Sequence, residues 1–148
     1  MEEDVVREFE GQYRFLSNFW SCYIKVDGDW YPSVENAYQA MKMQHKANRA
    51  RFQHIKASEA KRLGRLLPMR DDWDQVKLDI MYNLVRQKFE DRKLQSNLLA
   101  TGDAELQEGN WWGDAYWGTV NGVGENHLGK ILMRVRSEYS HALSVSAV

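Results

Sequence analysis

PSVENAYQAMKMQHKA, residues 32–47, is the stretch whose reading decides the fold. Ser33 is a good helix cap and Glu35 sits in the favourable first turn, so the pattern predicts a helix over Val34 to Ala47. At 100° per residue, Val34, Ala37, Tyr38 and Met41 share one apolar face, and Ala40, Met43 and Ala47 form a second, nearly opposite. Glu35, Gln39 and Lys42 make a narrow polar stripe between them, at i, i+4 and i+7. A helix that is apolar on two sides is largely buried, and such a stripe then needs partners or a water-filled pocket. On pattern alone the stripe is equally an ordinary surface feature with a Glu/Lys pair.

The chain before this helix reads as short strands from Phe9 to Trp30, with a hairpin of Cys22–Val26 and Asp29–Tyr31 turning at residues 27–29. In RFLSNFW (14–20), Ser17 and Asn18 stand among aromatics, where they cap a turn or point at a ligand. After it, Asn48 to Ile55 and Ser58 to Leu66 read as short basic helices, Ser58 capping the second. From Lys42 to Arg65 the cations are opposed only by Glu59, a solvated face or an attraction for phosphate. Asp71 or Asp72 caps a longer helix, Trp73 to Arg92, whose stripe of Trp73, Val76, Ile80, Leu84 and Phe89, flanked by Met81 and Val85, follows the helical period. A further turn, Leu94 to Ala100, stops at Gly102. Ala104 to Gln107 reads as a strand, and Leu128 to Tyr139 as the last helix, with Leu128, Ile131, Leu132 and Val135 inward. The expected fold is α+β, a mostly helical single domain over 1–148 with a few short strands, its core about 9–139 and its tail 140–148 frayed.

EGNWWGDAYWG (108–118) is the other unusual stretch, holding Trp111, Trp112 and Trp117 of the chain's six tryptophans. Its glycines forbid a continuous helix, which leaves a shaped loop that sets flat rings beside carboxylates, as a flat polar ligand requires. Composition narrows the rest. With 148 residues, 43% hydrophobic and 28% charged, the chain is of the globular class. The net charge of −1 exerts no global pull on nucleic acid or membrane, and no apolar run is long enough for a bilayer. The acidic start and lone Cys22, a small semi-buried side chain, fit a reducing cytoplasm. No phosphate loop, HExxH or nucleophile elbow occurs, and His45, His54, His127 and His141 are scattered, which argues against zinc. What remains is carboxylates (Glu35, Glu108, Asp114), with Lys42 and Lys130 as cations and tryptophan platforms. These suit an oxocarbenium-like sugar cation, attack of water on it and stacking of a base, and they equally suit a binding module without chemistry.

Taken together, FLSNF (15–19), PSVENAYQAMK (32–42), DWDQVK (72–77), MYNLVRQKF (81–89), LLATGDAELQE (98–108), GDAYWG (113–118) and GENHLGKILMRVR (124–136) resemble the NADAR superfamily, and within it the compact YbiA-like branch. The resemblance implies N-glycosidase activity without a metal or cofactor. Its implied partner is a small phosphorylated N-ribosyl metabolite, a phosphoribosylamino-pyrimidine intermediate of riboflavin biosynthesis. Other branches remove ADP-ribose from guanine in nucleic acid, as antitoxins, so an ADP-ribosyl-guanine glycohydrolase is the alternative, beside a non-catalytic module for ADP-ribose or NAD-like ligands. By position the motifs imply Glu35, Asp114 and Lys42 as catalytic. Ser17, Asn18, Phe19, Gln39, Trp73, Trp112, Trp117, Asn126 and Lys130 are the implied substrate contacts. The expected site has residues 108–118 as one wall, Trp111 serving as packing, and the Glu35 helix as the other. Lys130, near a helix start, opposes the macrodipole and calls for an anionic partner.

Overall fold

The computed structural model of the chain describes residues 4–146. They fall into two compact units, one of Asn18–Lys88 and the other of the described residues up to Ser17 together with those from Phe89 on. In the first, helix α1 (Val34–Lys42) starts where expected: the Ser33 side chain accepts from the Asn36 N–H at 3.0 Å. Every residue from Val34 to Met41 is buried, as the two apolar faces require. The helix ends before Ala47, however. Met43 turns extended and bridges antiparallel to Met69, with the Gln44 N–H donating to the Pro68 carbonyl and the Arg70 N–H to that of Lys42. The second apolar face is thus partly a strand-like contact: Met43 reaches the core, only 2% exposed, without a further helical turn.

Around α1 stand the hairpin β1 (Ile24–Val26) and β2 (Asp29–Tyr31), a 3-10 segment Lys46–Phe52, α2 (Ala57–Gly64) and α3 (Trp73–Lys88). The hairpin pairs Val26 with Asp29, so Asp27 and Gly28 alone make the turn, both at positive φ (52° and 86°). That geometry gives the loop the twist of its strands. Helix α2 is capped from Lys56 with no side-chain bond, so Ser58 lies inside it and is no cap. In α3, Trp73, Met81, Leu84 and Val85 are buried and Val76 and Ile80 half-buried. Asp72 stands at its start, its carbonyl accepting from Gln75 and Val76, while its carboxylate takes Arg70 at 2.6 and 2.8 Å.

The other unit holds a two-stranded parallel pair of Val5–Val6 with Glu105–Leu106. Residues 11–16, expected as strand, form a 3-10 turn (Gly11–Leu16). Phe15 and Leu16 are both buried there, which alternation along a strand would not allow. Phe15 meets Phe89 edge-on at 6.5 Å. The long helix expected to reach Arg92 is broken: α3 stops at Lys88, and Asp91 caps a separate α4 (Arg92–Ala100) by accepting from the Leu94 N–H at 3.0 Å. Gly102, at φ +62°, follows its end. In α5 (His127–Ser146), Leu128, Ile131, Leu132 and Val135 are buried as predicted. The helix runs on through the segment expected to fray, with exposed residues from His141 to Val145 continuing its bonding pattern as far as Ser146. No helix of the described residues is long and apolar enough to cross a membrane.

Asn36 is the polar centre of the first unit. It is fully buried, donates to the carbonyls of Phe52 (2.8 Å) and Ile55 (2.9 Å), and accepts from the Ser33 hydroxyl. Asn36→Ala orphans these carbonyls and should lower stability by about 1–3 kcal/mol in urea unfolding. Lys88 is 2% exposed, and burial pushes its ammonium down from 10.5 to about 7. Between those values the unfolded chain binds more protons than the folded one, so stability rises with pH across that window; below it the cost of the buried charge is borne in full. Lys88→Met removes this titration, so its stability relative to the wild type should be most favourable below pH 7 and decline toward pH 10. A difference independent of pH would contradict this.

Candidate active site

Because α1 is enclosed, its polar stripe is a set of interior groups. Glu35 is 7% and Gln39 6% exposed, and Gln39 Nε2 donates to Glu35 Oε1 at 2.9 Å. One turn on, Lys42 is half-buried. Burial pushes its ammonium below the ordinary lysine range, the Glu35 charge pulls it back, and Arg65 and Lys77 push it down again. The first turn of α1 has an N–H to spare at Glu35, and the Asn18 carbonyl accepts it at 3.0 Å. Asn18 thus acts on the helix through its backbone, while its side-chain amide faces Met81 Sδ at 3.5 Å. Phe19 is 42% exposed, lies 5.9 Å from Lys61 Nζ, and borders a cavity of about 600 Å³ with Ser33, Asn36, His54 and Lys56. Trp73 is 4% exposed and packs on Tyr38 at 4.9 Å, in the interior.

In the other unit, Ser17 closes its 3-10 turn by donating its N–H to the Arg14 carbonyl. The tryptophan loop there is held by its short polar residues. Asp114 Oδ1 accepts from the N–H groups of Tyr116 (3.1 Å) and Trp117 (2.9 Å). The Asn110 side chain spans the turn, accepting from the Asp114 N–H and donating to its carbonyl. Beyond it the loop docks onto the start of α5: carbonyls of Ala115, Tyr116, Trp117 and Gly118 accept from Glu125, His127, Leu128 and Asn126. The N–H groups that a helix start leaves without intrahelical partners are thus used to fix the loop. Asn126, at φ +52° and 6% exposed, bonds the Leu106 carbonyl and the Glu108 N–H, so its side chain is engaged by backbone. Lys130 is exposed one turn into α5, where solvent answers its charge.

The rings of the loop differ sharply. Trp117 is half-buried against Tyr116 (5.0 Å), which also lies 4.5 Å from the His127 ring. Trp112 is 48% exposed. Trp111, expected as packing, is 88% exposed. It touches Trp112 edge-on at 5.7 Å beside the turn at Gly113 (φ +91°), which leaves it at the loop tip. His127 escaped the sequence reading, since a lone histidine at a helix start carries no pattern; its adjacency to Tyr116 is tertiary. Among the described residues no group of three or more His, Cys, Asp or Glu gathers to hold a metal. What these groups offer is acid–base chemistry, from a buried carboxylate ordered by an amide beside a desolvated ammonium, and aromatic faces.

The chain belongs to the NADAR domain family, whose model matches residues 6–140, and its motifs and helical α+β fold agree with that. Among individual proteins it is similar to N-glycosidase YbiA of Shigella boydii serotype 4 (strain Sb227), 39% identical over 145 residues, which cover 93% of this chain and 90% of that one. It is 41% identical over 140 residues to a riboflavin biosynthesis protein of Vibrio vulnificus (strain YJ016), covering 88% of this chain but only 37% of that longer protein. The NMR structure of the E. coli protein YbiA matches with a TM-score of 0.82 at 35% identity, covering 96% of this chain and 89% of that one.

The role of Asp114 in the loop is separable from its charge. Asp114→Asn keeps an oxygen for the Tyr116 and Trp117 N–H groups and should melt near wild type. Asp114→Ala removes it and should lose about 1 kcal/mol in urea unfolding.

Proposed function

We propose that this chain is an N-glycosidase that hydrolyses the bond between a base and a phosphorylated ribose, with phosphoribosylamino-pyrimidine intermediates of riboflavin biosynthesis as its substrates. The observation that carries the reading is the stripe on α1: a carboxylate 7% exposed, an amide donor on it at 2.9 Å, and a cation whose burial loosens its proton. The similarity to N-glycosidase YbiA and to a riboflavin biosynthesis protein supports it.

In the proposed reaction the bond from sugar C1′ to nitrogen lengthens toward an oxocarbenium-like state. Glu35 accepts a proton from water as its oxygen bonds C1′; the C–N electron pair leaves with the base, which takes up a proton. Lys42, whose proton burial loosens while the Glu35 charge favours it, is assigned to neutralise the phosphate or the departing nitrogen. Asp114 is assigned the sugar hydroxyls through the family motif it fills, with Oδ2 available because Oδ1 serves the loop. Trp112 and Trp117 are assigned the base, because ring faces stack on a flat heterocycle.

One observation favours a second substrate. Lys46, Arg51, Lys56, Arg62 and Arg65 are exposed along one basic segment, a surface suited to nucleic-acid phosphates. Assaying ribose 5-phosphate release from N-ribosyl phosphates beside ADP-ribose release from ADP-ribosylated guanine in DNA decides between them; saturable binding with no cleavage of either would mark a binding module. Glu35→Gln should keep the fold and lower turnover by about 10²-fold or more. A near-wild-type rate would remove Glu35 from the mechanism.

A further inference from the structure

Helix α2 ends on a glycine that its own backbone does not require. Gly64 is buried, yet its φ is not in the left-handed region, so alanine there would favour the helix by about 1 kcal/mol. The reason lies across the helix contact. A Cβ on Gly64 would stand 2.0 Å from Gln39 Oε1 and 2.8 Å from its Cδ, distances atoms do not hold. The atoms met belong to the end of the Gln39 side chain, which is itself 6% exposed, so it is this buried amide that a Cβ would displace.

The amide is also fixed in sense. Its Nε2 donates to Glu35 Oε1, and its Oε1 is buried with no hydrogen-bond partner. Turning the amide over would set its oxygen against the Glu35 carboxylate, acceptor on acceptor. The orphaned oxygen must therefore face α2, and only a residue without a side chain leaves it room. The next residue, Arg65, acts on the same stripe by lowering the proton affinity of Lys42.

We propose that Gly64 is a positioning residue for the hydrolysis: by withholding a side chain it seats the Gln39 amide, which in turn orients the Glu35 carboxylate. The proposal rests on the reading of Glu35 as the group that activates water. A base displaced by about 1 Å costs on the order of 100-fold in rate, so a contact of this kind reaches the chemistry without touching substrate.

The test measures kcat and KM on whichever member of the substrate panel the wild type cleaves, with thermal melts, for Gly64→Ala, Gln39→Ala, the double variant and Glu35→Gln. Gly64→Ala should lower kcat by about 10- to 100-fold while KM changes by less than about threefold. The double variant should match Gln39→Ala alone, because without the Gln39 side chain the new Cβ meets nothing. If Gly64→Ala does not fold, the double variant is the deciding one: it should recover the fold and the Gln39→Ala rate. A wild-type kcat for Gly64→Ala, a decrement that persists in the Gln39→Ala background, or a double variant that does not fold overturns the proposal. An active Glu35→Gln overturns the catalytic assignment and this proposal with it, a result distinct from an inactive Glu35→Gln beside an unaffected Gly64→Ala.

Discussion

The enclosure of α1 is the constraint on which its unit depends. A helix buried on every side from Val34 to Met41 cannot send its polar groups to water, so each must be answered from within or bear the cost of being unanswered. Asn36 is answered by the carbonyls of Phe52 and Ile55 and by Ser33, which stitches the 3-10 segment and its successor to the helix. Glu35 is answered through Gln39, and Gln39 only in part. The contrast separates Asn36 from Gln39: Asn36 is saturated and holds the fold, while Gln39 keeps a buried acceptor, Oε1, without a hydrogen-bond partner.

The tryptophan loop solves a different problem by similar means. A glycine-rich loop has no regular bonding of its own, so its shape must come from elsewhere. Asp114 and Asn110 fold it locally, and the otherwise unused N–H groups at the start of α5 take up its carbonyls. GDAYWG and GENHLGK, distinct motifs along the chain, are therefore one structural piece. The exposed rings of Trp111 and Trp112 are the remainder, apolar surface that the piece does not cover.

Much of this was legible in the residues. The α1 cap, its burial, the stripe and the hairpin turn all follow from short-range pattern, and so does the inward face of α5. The failures share a cause. Residues 11–16 alternate like a strand but turn as a 3-10 segment, α1 stops for a bridge to Met69, and α3 breaks because Asp91 caps a new helix. In each, a partner distant in sequence or a competing cap outweighed local propensity.

The collinear motifs were enough to determine the family, and the helical period enough to place Glu35, Gln39 and Lys42 on one stripe, because both are properties of order along the chain. Only the tertiary structure decided what that stripe touches. No local pattern says that a glycine twenty-five positions beyond Gln39 must be bare, that Asn126 is spent on backbone, or that Trp111 stands in solvent. Those facts depend on close approach between segments, where a single methyl group or a single hydrogen bond decides the arrangement.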